Sequence, residues 1–122
     1  MDYDSLTAQY KSSLHKNEQE MDELLSLKRK LEYDRQEIFE MKRSETAYCN
    51  HRKDELHGKG AEQYLQKLDE FTDFTVDNLK QMDLIFQQGT EEIARERKRL
   101  SAQRETLESE YRRNVQNMQK VT

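Results

Sequence analysis

Proline is absent from this chain of 122 residues, and glycine occurs only three times. With so few breakers, long helices meet almost nothing to stop them, and alternating β-branched runs with tight turns, the marks of strands, are missing as well. Tryptophan is absent, and the single cysteine excludes an internal disulfide. Only 33% of the residues are hydrophobic and 38% are charged, against about 45–50% and about 25% in an ordinary globular domain, so a sizeable isotropic core is out of reach. There is no apolar run near 18 residues and no basic-then-apolar leader at the start, so neither membrane insertion nor a cleaved secretory signal is expected. A net charge of -4 excludes a general nucleic-acid binder, which needs a basic face to release phosphate counterions. Synthesis in the cytosol is expected, with export open by a route that accepts folded helical cargo.

What the chain does have is period. Leu65, Thr72, Leu79, Phe86, Ile93, Leu100, Leu107, Asn114 and Val121 follow one another at intervals of seven. Only a slightly underwound helix that keeps one seam against a partner helix needs such a repeat, and its regularity also argues against disorder. The first half carries a seam of its own in 3-4 spacing: Tyr3, Leu6, Tyr10, Leu14, Asn17, Met21, Leu24, Leu27, Leu31, Ile38, Met41, Tyr48 and Leu56.

The strongest punctuation, His57-Gly58-Lys59-Gly60, divides these halves. Gly58 suits the left-handed conformation that ends a helix, and Gly60 can begin the next, with Gln63 placed for a reciprocal cap. The fold class predicted is therefore all-α: one antiparallel, coiled-coil-like helical hairpin over 1–122, with arms of about 3–57 and 60–120 and a length of roughly 75–90 Å at 1.5 Å per residue. Charge supports that pairing. Residues 1–27 hold 2 basic and 6 acidic side chains, 28–60 hold 9 and 7, 61–92 hold 2 and 8, and 93–122 hold 8 and 4. Folding back at the turn opposes blocks of opposite sign, whereas parallel stacking of two copies sets like against like.

At Gln88-Gly89-Thr90 two readings stand: a kink or restart of the helix, with Thr90 and the acids after it as a new start, or a continuous helix whose glycine admits a close neighbour. Asn17 and Asn114, both on the predicted seam near the open end, either pair to fix register or lie half-exposed where the ends fray. Beyond Phe86 the second seam position turns polar at Glu96, Gln103, Glu110 and Asn117, making a weak zipper.

Between Tyr64 and Phe86 the apolar residues spread beyond a single stripe, more than a helix packed on one neighbour requires. The predicted partner-binding residues are Leu65, Leu68, Phe71, Phe74, Leu79, Met82, Ile85 and Phe86 with Phe39 from the other arm; Phe39, Phe71, Phe74 and Ile85 are expected to face outward. Aromatic and methionine anchors are typical of helix-to-helix interfaces, although the same residues can thicken the hairpin core.

Chemistry fares less well. Cys49, His51 and His57 offer soft and imidazole ligands, but Cys49 and His51, two residues apart on a helix, point in different directions. No histidine has the Glu-x-x-His spacing of a di-iron bundle site. Arg95-Glu96-Arg97-Lys98-Arg99 is interleaved with acids and reads as a solvated face. With no phosphate loop, nucleophile elbow or paired catalytic carboxylates, no enzyme activity, metal or cofactor is expected.

This proline-free, acidic, leaderless hairpin with a glycine turn near its midpoint resembles the small helical proteins of type VII (ESX) secretion. The Trp-x-Gly turn of the best-known group is replaced by His57-Gly58-Lys59-Gly60, and the carboxy-terminal Tyr-x-x-x-Asp/Glu export signal is missing, Tyr111 being followed four residues on by Val115. The layout is more similar to the longer helical partners of LXG-domain toxins. A Phe-x-x-x-Asp element of one such partner family is unmatched, Phe71 being followed by Thr75 and Phe74 by Asn78, which favours the second family. That resemblance implies a chaperone and adaptor which binds the toxin's amino-terminal helical region, together with a second small helical protein in some assemblies, and is exported with it or stays in the cytoplasm. The rival expectation is a self-associating structural coiled coil without cargo, homodimeric when alone.

Overall fold

In the computed structural model the chain is a helical hairpin of two helices, α1 (Tyr3–Glu55) and α2 (Glu62–Val121). The structure describes residues 2–56, 58 and 60–121, and no strand occurs among them. At the start of α1 the Asp2 carboxylate accepts the Ser5 amide at 2.7 Å and the Asp2 carbonyl accepts the Leu6 amide at 3.0 Å, an N-cap that satisfies donors the first turn leaves open. Arg52 and Lys53 lie in the last turn of α1, where the helix dipole favours positive charge.

Of the predicted turn, His57 and Lys59 lie outside the described residues. Gly58 has φ of 107°, a left-handed conformation that would strain any residue with a Cβ. Its carbonyl accepts the Ala61 amide at 3.1 Å, and Ala61 in turn accepts the Leu65 amide at 2.8 Å. Helix α2 starts at Glu62 and α1 ends at Glu55, each within two residues of the arms of about 60–120 and about 3–57.

Contacts divide the chain into two compact units, residues 30–90 and residues 1–29 with 91–122. In the turn-proximal unit, Cys49, Thr75 and Phe86 are buried, and Leu31, Ile38, Leu65, Leu68, Leu79 and Met82 are half-buried around them. Gly89 stands in this seam: a Cβ there would come within 3.1 Å of Leu31 Cδ2. Helix α2 runs without interruption through Gln88–Thr90, so Gly89 admits a close neighbour and does not restart the helix.

In the unit of 1–29 and 91–122, Ile93, Leu100 and Asn17 are buried. Of the two readings of Asn17 and Asn114, the pair does not form, and the exposed end fits Asn114 but not Asn17. Asn114 is exposed, and the Asn17 amide donates at 2.9 Å both to the Leu100 carbonyl and to Gln103 Oε1. Tyr10 and Tyr111 stack with centroids 4.3 Å apart and planes 12° from parallel, and the hydroxyls of Tyr111 and Thr7 are hydrogen-bonded at 3.0 Å. The Thr7 bond holds the Tyr111 phenol below the usual tyrosine range, whereas a hydrogen bond to Tyr111 pushes the Tyr3 phenol up. Past Leu107 the half-buried line passes through Tyr111, Val115 and Met118. Two successive four-residue steps, 107 to 111 to 115, thus move the seam off Asn114; the Val121 side chain lies outside the described residues.

A second correction concerns α1. Leu27, Met41 and Tyr48, predicted in the seam, are exposed, while Lys28, Lys42 and Cys49 are half-buried or buried. From Tyr10 onward the buried line steps 14, 17, 21, 24, 28, 31 in strict alternation of three and four. Choosing Leu27 needs two three-residue steps in a row, from 21 to 24 to 27, which rotates the stripe away from the facing helix.

Candidate partner-binding face

Heptad positions sort the turn-proximal unit into two flanks. On α2 the seam consists of Leu65, Thr72, Leu79 and Phe86 at position a, with Leu68, Thr75, Met82 and Gly89 at position d. On α1 the same phase puts Arg35, Lys42 and Cys49 at a, and Leu31, Ile38 and Glu45 at d. In an antiparallel pair, residues just after d on both helices share one flank, called e, and residues just before a share the other, called g.

The e flank is ionic. Lys53 Nζ lies 2.6 Å from Asp69 Oδ1 and 3.2 Å from the Thr72 hydroxyl, which it reaches as donor. Arg35, from the seam edge, contacts Asp83 Oδ1 through Nη2 at 2.8 Å and through Nε at 2.9 Å. Its guanidinium also covers the Phe39 ring at 5.0 Å from the centroid. Such partly exposed pairs contribute about 0.2–1 kcal/mol each, and Val76 is the large hydrophobic that this flank leaves exposed among the described residues. The unit of 1–29 and 91–122 has an ion pair at the equivalent e positions, Glu18 with Arg104 at 3.5 Å.

The g flank is apolar. It carries Met41 and Tyr48 from α1 and Tyr64, Phe71 and Ile85 from α2, with Phe74 on the adjoining row; all six are 46–64% exposed. Tyr64, Phe71 and Ile85 keep the seven-residue spacing of the seam beside them, interrupted only by Asn78. Arg52 rests over the Tyr48 ring at 5.5 Å and donates Nε to its hydroxyl at 3.1 Å, so this aromatic is held in place and still exposed.

The predicted partner-binding set divides along these lines. Phe71, Phe74 and Ile85 are exposed on or beside the g flank. Phe86 is buried, and Leu65, Leu68, Leu79 and Met82 are half-buried in the seam between the two helices, so these five belong to the hairpin. Phe39, expected to face outward, is half-buried beneath Arg35 on the opposite flank. Sequence reasoning missed Met41, Tyr48 and Tyr64 as surface anchors. The signal was present: Met41 and Tyr48 are seven apart, one residue out of phase with Lys42 and Cys49.

Cys49 is buried, whereas His51 is exposed and bonded to Glu55 at 2.9 Å; His57 lies outside the described residues. Among the described residues no three His, Cys, Asp or Glu side chains stand close enough to hold a metal ion, and no helix is long and apolar enough to cross a membrane. No family of known proteins, no curated protein and no solved structure matches this chain.

Proposed function

We propose that the protein is a non-enzymatic helical adaptor that binds a helical region of a partner protein along the g flank of residues 30–90. One observation carries this reading: apolar side chains at heptad spacing stand exposed beside a seam that is already filled. A heptad repeat in exposed positions is what a further helix requires, and contiguous exposed apolar surface marks interaction sites. The hairpin does not use these side chains for its own core, and leaving them in water brings no stability.

The resemblance of the layout to the helical partners of LXG toxins supplies the class of cargo: the amino-terminal helices of a toxin sent through a type VII system, with this chain as chaperone and adaptor. The test is co-expression with the amino-terminal region of an LXG-type toxin encoded beside this gene. Co-purification is expected with the wild-type chain and lost in Phe71→Asp/Ile85→Asp, a loss of several kcal/mol of association if both anchors become buried charges. Retention by that double variant removes the reason for placing the site here. A chain that instead forms homodimers, with no cargo bound, supports the structural coiled coil.

A further inference from the structure

The g flank is bordered by exposed acid. Position g and the two rows outside it, over residues 30–90, contain Asp34, Glu37, Glu40, Asp54, Glu55, Glu70 and Asp77 against Lys30 and Lys67, a net of -5. Glu55 is engaged by His51 and Arg52 on its own helix. Asp34, Glu37, Glu70 and Asp77 are exposed, and no ion pair joins them to a cation among the described residues. They come from both helices, so the apolar line runs between two acidic margins. The opposite flank uses its carboxylates differently, with Asp69 and Asp83 closed onto Lys53 and Arg35.

We propose that the occupant of this flank is a basic amphipathic helix: apolar residues at heptad spacing to meet Met41, Phe71 and Ile85, with lysines or arginines on either side to meet the two margins. The inference rests on the adaptor reading and names the chemistry of its partner. A second copy of the chain does not fit. Face to face, it would set one net -5 surface against another, and like charges across an interface are strongly selected against. The copy's basic carboxy-terminal stretch offers no substitute, because among the described residues of 1–29 and 91–122 the exposed large hydrophobics are Tyr3 and Leu27, both on α1. The partner must bring apolar and basic groups together on one helix.

The experiment uses the full chain and two fluorescent synthetic helices with the same heptad-spaced leucines, one flanked by lysine and the other by glutamate, read by anisotropy. The lysine-flanked helix should bind, the glutamate-flanked one should not, and binding should weaken as salt rises toward physiological ionic strength. Phe71→Ser/Ile85→Ser should lower affinity roughly tenfold or more. Glu70→Lys/Asp77→Lys should reverse the preference between the helices, and Val76→Ser, on the e flank, should leave it unchanged. All these side chains are exposed, so circular dichroism should show each variant as helical as the parent. Equal binding of both helices, binding of neither, or an unreversed preference in the lysine variant overturns the proposal. So does a homodimer in sedimentation that Phe71→Ser/Ile85→Ser abolishes.

The same variants separate this inference from the adaptor reading. A toxin region that is retained by Glu70→Lys/Asp77→Lys but lost by Phe71→Asp/Ile85→Asp overturns the basic helix and leaves the adaptor standing. A wild-type chain that captures the lysine-flanked helix but not the toxin region supports the basic helix and overturns the cargo.

Discussion

The two units of this hairpin are built from the same heptad and use it differently. In residues 1–29 with 91–122, the seam is specific: Asn17 is tied to Leu100 and Gln103, Tyr10 is stacked on Tyr111, and little large apolar surface is left outside. In residues 30–90, α1 supplies Lys42 and Glu45 to the seam along with Leu31, Ile38 and Cys49, while Met41 and Tyr48 stand exposed beside it. Charge follows the same division. Residues 30–90 hold 9 basic and 13 acidic side chains, and the remainder holds 12 of each. One region therefore joins its helices through a buried amide and a ring stack. The other leaves apolar and acidic side chains exposed beside a seam that is already filled.

The sharpest way to break this comparison is to place a charge one residue apart. Phe86 is buried in the seam and Ile85 is exposed next to it on the g flank. Phe86→Asp buries a carboxylate without a partner and is expected to cost at least about 3 kcal/mol, enough to unfold so small a structure at ordinary temperature. Ile85→Asp should change stability by no more than about 0.5 kcal/mol. Urea denaturation followed by circular dichroism measures both. Equal losses would mean that the g flank is hairpin core, and the functional reading would go with it.

The all-helical hairpin and the α2 seam from Leu65 to Leu107 were legible in the sequence because one strict period, no proline and one glycine turn all imply the same fold. The α1 seam was not, since its most apolar residues and its strict phase point to different positions. Leu27, Met41 and Tyr48 are the more hydrophobic choices, but Lys28 and Lys42 can lay their methylene stems along a seam and keep the ammonium in water. Tyr111 illustrates the same limit at the other end. Its stack on Tyr10 shifts the seam by one residue, and no spacing rule foretells a cross-helix aromatic pair. Of the candidate site, Phe71, Phe74 and Ile85 could be anticipated as outward from the surplus of apolar residues, whereas Phe39 needed Arg35 to be seen above it.

Two buried polar side chains sharpen the comparison further. Asn17 is satisfied by two hydrogen bonds, while Thr75, 1% exposed, has no partner for its hydroxyl. The other hydroxyls at Thr72 and Thr90 donate to the carbonyls of Leu68 and Phe86, four residues back, a bond that Thr75 does not make. Removing a satisfied group should cost, and removing an unsatisfied one of the same shape should help. Asn17→Ala is expected to destabilise by about 1–3 kcal/mol, from the lost bonds and the space left behind. Thr75→Val should stabilise by up to about 1 kcal/mol. Paired denaturation curves test both signs, and a Thr75→Val variant less stable than its parent would show that the hydroxyl has a role in the seam.

The smallest effect expected is confined to the first turn of α1. The Asp2 carboxyl is held below its ordinary value of 3.8, first of all by the hydrogen bond from the Ser5 amide. A lowered folded-state value means that the carboxylate's contribution is fully present above 3.8 and is lost as pH falls through that lower value. Acidification should therefore loosen the first turn of α1 before anything happens in residues 30–90. Amide exchange at Ser5 and Leu6, compared with that at Leu79 and Met82, reads this directly: protection at the first pair should fall on acidification while the second pair holds. Asp2→Asn keeps a capping oxygen but has nothing to titrate, so its first turn should show no such pH response. If Ser5 and Leu6 lose protection equally in the parent and in Asp2→Asn, the acid response comes from elsewhere in the helix and the cap is not its cause.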